Sequence, residues 1–105
     1  MYTKETFNSL YKKALVASKD NNIDKAVYYF KETAKIALKE ECLFIASRIT
    51  MKVGQLYAQQ ENYNLSHKAY KQAQGLCLAK AGEENLLYKY ISRIVKNEKA
   101  GKPCL

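Results

Sequence analysis

The chain repeats itself forty residues apart. Asn22-Ile23 returns as Asn62-Tyr63, Lys31 as Lys71 and Leu38 as Leu78, and each half carries apolar residues at helical spacing. A period of this length is the mark of helix pairs that cannot bury their apolar faces alone and do so by stacking on one another. The clearest stripe is Ile23, Ala26, Val27, Phe30, Ala34, Ala37 and Leu38, all on one side of a helix. Phe7, Leu10, Ala14, Leu15 and Ala17 predict a helix before it, and Asp20, Asn21 and Asn22 supply the turn and cap between the two.

Beyond Glu41 the pattern becomes two-sided. Leu43, Ala46, Thr50, Val53, Gly54 and Tyr57 form one stripe and Ile45, Ile49 and Leu56 a second, so this third helix is expected to pack on two neighbours. The segment QENYN ends it. Ser66, Ala69, Tyr70, Ala73, Leu76 and Cys77 then carry a fourth helix to about Ala81, where Gly82 suits a C-cap. A fifth follows, with Leu87, Tyr90, Ile91 and Ile94 on one face, before Gly101 and Pro103 stop it. The expectation is one all-α domain over residues 1–101, a five-helix antiparallel array, with a short tail at 102–105. A single proline and four glycines suit helices and leave too few turn signals for a sheet protein.

Gly54 sits inside the third helix, where glycine costs roughly 1 kcal/mol against alanine. Its surroundings match the tetratricopeptide pattern W-x2-L-G-x2-Y followed by A-x3-F. Here the positions hold Thr50-x2-Val53-Gly54-x2-Tyr57, then Ser66-x3-Tyr70. The first half holds Leu10-x2-Lys13-Ala14-x2-Ala17, then Ala26-x3-Phe30, with Lys13 in place of the usual leucine. In the third unit only the first helix is present, and Ile94 stands where the small residue belongs. The chain therefore resembles a tetratricopeptide-repeat protein of the longer-helix kind. A three-helix microtubule-interacting-and-trafficking-type module would match ALVASKDNNIDKAVYYFKETAKIAL but leave two further helices in register unexplained.

The resemblance implies about two and a half helix-hairpin repeats in a right-handed superhelical stack. Gly54 and Ala14 would be the points where paired helices cross, with Ser66 and Ala26 opposite them. It also implies a concave groove lined by the first helix of each pair, at Tyr11 and Leu15, then Arg48, Met51, Lys52, Gln55 and Gln59, then Tyr88, Ile91 and Val95. Chaperone-binding relatives clamp a terminal carboxylate with lysine and asparagine. Of the matching places, Tyr11, Leu15, Lys52, Tyr88 and Ser92, only Lys52 fits, so the expected ligand is an amphipathic helix or extended peptide held as small secretion chaperones of this fold hold their subunits. A fifth helix without a sixth also leaves a face that a second copy could cover.

Chemistry is expected to be absent. His67 is the only histidine and has no ligand-type neighbour, there is no glycine-rich phosphate loop, and the pairs Glu40-Glu41 and Glu83-Glu84 fall at helix junctions. Hence no catalytic, cofactor or metal residue is predicted. Cys42, Cys77 and Cys104 form no CxxC; Cys42 and Cys77 read as reduced core residues. The longest apolar runs, such as CLFIA, are far short of the ~20 residues that span a bilayer, and MYTKETFNSL lacks the order of a secretory signal, so a cytoplasmic location is expected. The formal charge of +8, with nine tyrosines and the stripe Lys31, Lys35, Lys39, keeps a basic nucleic-acid-binding domain as the alternative.

Overall fold

A computed structural model describes the backbone of residues 4–81 and 85–99, with side chains placed for 6–80 and 85–96. It contains five helices: α1 (Lys4–Lys19), α2 (Ile23–Lys39), α3 (Leu43–Gln59), α4 (Tyr63–Ala81) and α5 (Leu86–Lys99). No strand occurs among the described residues. The C-cap expected at Gly82 and the stop at Gly101 and Pro103 lie outside them.

The first three connections are one turn used three times. Asn21, Glu41 and Glu61, each twenty residues on from the last, take the left-handed backbone with φ of 60°, 59° and 59°. After each, the next N–H reaches back over the helix end: Asn22 to Ala17 O (2.8 Å), Cys42 to Ala37 O (2.8 Å) and Asn62 to Tyr57 O (2.9 Å). This is the Schellman closure, which satisfies carbonyls that a helix end leaves unpaired. The next helix is then capped from its first turn. Asn22 Oδ1 accepts from Lys25 N–H and Asn62 Oδ1 from Leu65 N–H, both at 3.4 Å, whereas Cys42 makes no such bond. The structural unit is thus twenty residues, a helix and its turn, and the forty-residue period is two of them.

Each turn reverses the chain. Tyr11 meets Phe30, Asp24 meets Gln60, Ser47 meets Ala73 and Gln74 meets Ser92, so sequence neighbours run antiparallel throughout. Substantial packing joins α1 to α2, α2 to α3, α3 to α4 and α4 to α5. The chain of neighbours zigzags, with odd helices on one side and even helices on the other, and the shortest Cα extent of 39 × 32 × 17 Å is the depth of two helices at a contact spacing of about 8–10 Å.

The core has two parts. One gathers Ala14, Ala17, Ala26, Phe30, Ile49, Val53 and Leu56 from α1, α2 and α3; the other gathers Tyr70, Ala73, Cys77, Ile91, Ile94 and Val95 from α4 and α5, with Phe44 and Met51 of α3 against it. The two-sided packing of α3 is present, but its second side is Phe44, Ser47, Met51 and Gly54 rather than Ile45, Ile49 and Leu56. Ser47 Oγ donates to Ala73 O at 2.7 Å, fully buried. At Gly54 a Cβ would meet Tyr70 Cε2 at 2.9 Å, so glycine is what lets α4 come this close. Cys77 is buried, and that burial pushes its thiol up, with a hydrogen bond from the Tyr88 backbone N–H pulling the other way. Cys42 is not a core residue: it is exposed in the α2–α3 turn, its thiol turned to Glu40 O at 3.6 Å.

Candidate functional site

Between α1 and α3 runs an open groove of about 350 Å³, lined by Phe7, Tyr11, Ile45, Arg48, Ile49 and Lys52. Its α1 wall is aromatic because Phe7 and Tyr11 are one helical turn apart. Their rings lie nearly parallel with centroids 6.2 Å apart, and Tyr11 is fixed from behind by an edge contact to the buried ring of Phe30 at 5.8 Å. The α3 wall is cationic. Arg48 and Lys52 are likewise a turn apart, standing over the buried Ile49 and the half-exposed Ile45. Among the described residues no carboxylate lines the groove, so none of them neutralises either cation from within it.

Three of the predicted groove residues, Tyr11, Arg48 and Lys52, are brought together here. Leu15 lies a turn further along α1, 39 % exposed. Gln55 and Gln59 continue the Arg48–Lys52 stripe down α3, half-buried and exposed respectively. Met51 turns away, into the α4–α5 cluster, where Tyr88 also packs. Ile91 and Val95 depart furthest from the expected groove: at 0 % and 5 % exposure they are core side chains, because α5 lays its apolar stripe onto α4. A ligand cannot reach them while α5 is packed. Phe7, Ile45 and Ile49 were not predicted, although the i, i+4 spacing of Phe7 with Tyr11 and of Ile45 with Ile49 carries the signal.

Charge is sorted along the helices. Of the acidic side chains described, Asp20, Asp24, Glu40, Glu41 and Glu61 sit at turns or in a first helical turn, and Glu32 alone is on a helix body. Asp24 in the first turn of α2 suits a helix N-terminus and Asp20 suits a turn, whereas Glu40, Glu41 and Glu61 follow no such local preference. Among the described side chains, the charged groups on the broad faces of the array are therefore mostly lysine and arginine.

Among the described residues no group of three or more His, Cys, Asp or Glu side chains converges as a metal site would need, and no helix is long and apolar enough to cross a membrane. The fold and groove define an all-helical array with a cationic, aromatic-walled surface cleft. Compared with protein-family models, with curated proteins and with solved structures, the chain matches none.

Proposed function

We propose that this chain is a non-enzymatic, cytoplasmic protein-interaction module, a scaffold or small chaperone, that holds an acidic amphipathic helix or extended peptide in the α1–α3 groove. One observation carries it: an aromatic wall and a two-cation wall face each other over an apolar floor, with no carboxylate between them among the described residues. Such a cleft offers apolar anchoring and leaves its charge for a partner. The arrangement as tetratricopeptide-like repeats belongs to the same proposal. It is supported by the buried trio Ala14, Ala26 and Phe30 recurring forty residues on as Gly54, Ser66 and Tyr70.

The sorted charge also favours a second occupant, a nucleic acid laid across a lysine-rich face. The two separate by salt. A polyanion that makes several phosphate contacts loses about 10³-fold or more in affinity between 50 and 200 mM salt, whereas a peptide anchored by Phe7, Tyr11 and Ile49 loses far less. Self-association is the weaker use of the surface: α5 exposes Leu86 (80 %) and Tyr90 (50 %), but two such faces would also bring Arg93 and Lys96 against their own copies.

The test is a charge reversal, Arg48→Glu with Lys52→Glu, followed by affinity purification from the native extract and measurement with the recovered, purified partner. Binding should weaken tenfold to a hundredfold, about 1.4 to 2.8 kcal/mol, with thermal unfolding unchanged because both side chains reach solvent. A partner that binds the variant as well as the wild type, or one displaced by moderate salt alone, would remove the groove from consideration.

A further inference from the structure

The other layer has a groove of its own. Between α2 and α4, about 450 Å³ of open space is floored by Ala34, Val53 and Ala69 and flanked by Leu38 and Leu65. Both leucines stand well exposed, at 42 % and 38 %. Cations come from both walls, Lys31 and Lys35 of α2 and Lys68 of α4, and among the described residues no carboxylate lines it. Lys31 is already held in place, its Nζ 5.5 Å from the centroid of the Tyr57 ring. Lys35 lies 3.7 Å from Glu32 on its own helix, with its side chain 68 % exposed, a pair that an incoming carboxylate can replace at little cost.

We infer that this second groove is a docking site for an amphipathic helix of a partner protein, one whose apolar stripe is flanked by carboxylates. The small residues Ala34 and Ala69 make room for side chains that enter from above, and Leu38 and Leu65 give them apolar contact. Lys31, Lys35 and Leu38 span about two turns, or ~10 Å at 1.5 Å per residue, which is the length over which i, i+4 and i+7 anchors of an incoming helix lie. Lysines on both sides of an apolar floor select carboxylates on both sides of an apolar stripe. Ala34, Val53 and Ala69 at the floor offer a phosphate nothing to bond and an apolar stripe a surface to cover, which favours the peptide over nucleic acid.

This site is separate from the α1–α3 groove. Ile45, Arg48, Ile49 and Lys52 of α3 face that groove, while Thr50, Val53 and Tyr57 face this one; at 100° per residue the two sets lie roughly 120° apart on the helix. Both grooves can be filled at once, so the protein would bridge two segments rather than hold one.

The experiment is an amide-shift titration of the isotopically labelled full chain with a synthetic helical peptide that carries leucines at i, i+4 and i+7 and glutamates beside them. The peptide should move amides of residues 31–38 and 65–72 saturably, and Lys35→Glu with Lys68→Glu should weaken that response at least tenfold while leaving the melting curve in place. A version of the peptide with lysine for glutamate should not bind there. Shifts confined to Phe7, Tyr11, Arg48 and Lys52 would sink the second site and leave the first standing; shifts at neither groove would sink both. A response at 31–38 that survives the double reversal, or that a single-stranded oligonucleotide produces more strongly than the peptide, would equally overturn it.

Discussion

The hairpins α1–α2 and α3–α4 place corresponding residues forty apart and then close in different ways. In the first, Ala14 and Ala26 lie fully buried beside Phe30; in the second the same places hold Gly54, Ser66 and Tyr70. Glycine brings the tyrosine ring so near that a Cβ at residue 54 would overlap it. Ser47 then ties the two helices by bonding to Ala73 O. Its counterpart in the first hairpin is Phe7, which stacks along Tyr11 in the groove wall, and the counterpart of Ala73 is Thr33, whose hydroxyl bonds within its own helix to Tyr29 O at 2.7 Å. One hairpin is thus closed by a short cross-helix bond, and the other spends the same position on an aromatic surface. The candidate site lies where the first hairpin departs from the second.

The contrast can be broken most forcefully at Gly54. Gly54→Leu would drive a branched side chain into Tyr70, which is itself 1 % exposed and has nowhere to go; a loss of about 3 kcal/mol or more is expected from overpacking, read as a lower urea midpoint. A near-neutral Gly54→Leu would mean that the second crossing is no closer than the first. Next in size are the turns. Glu41 and Glu61 hold a left-handed backbone that costs a side-chain-bearing residue about 1–2 kcal/mol, so Glu41→Gly and Glu61→Gly should each stabilise by about 1 kcal/mol net of glycine's greater chain entropy. Asn21→Gly should gain less, because asparagine tolerates that conformation; equal gains at all three would show that the turns are not equivalent in strain. The smallest effect concerns Ser66, buried with no partner for its hydroxyl. Making it resemble its counterpart, Ser66→Ala, should raise stability by about 0.5 kcal/mol through removal of an unsatisfied group, and a measured loss would point to a bond formed in solution.

Helix positions were legible because apolar side chains recur at helical spacing and because asparagine marks the starts at Asn22 and Asn62. The twenty-residue unit was hidden, since the left-handed residue is asparagine once and glutamate twice, and glutamate gives no turn signal. The α4-facing side of α3 was hidden for a related reason: Ser47 and Gly54 contribute contact without hydrophobicity. Ile91 and Val95 show the limit for the site. A stripe says that a face is buried but not against what, and here α4 covers it, which the apolar pattern of α5 alone does not reveal. Tyr11, Arg48 and Lys52 line one groove, and the sequence signal that groups the two cations is spacing, since Arg48 and Lys52 are a helical turn apart and so share one side of α3.

Packing that joins each helix chiefly to its neighbours in the chain has a kinetic consequence. Contacts are made across a few tens of residues at most, so loop closure is short at every step and folding in microseconds to milliseconds is expected. Opening is graded in the same way. The end helices α1 and α5 each have one principal neighbour, while α3 is held by α2 and α4, and exchange of amide protons should slow from the edges inward. The helix that lines both grooves, as a wall of one and part of the floor of the other, is then the last to come apart.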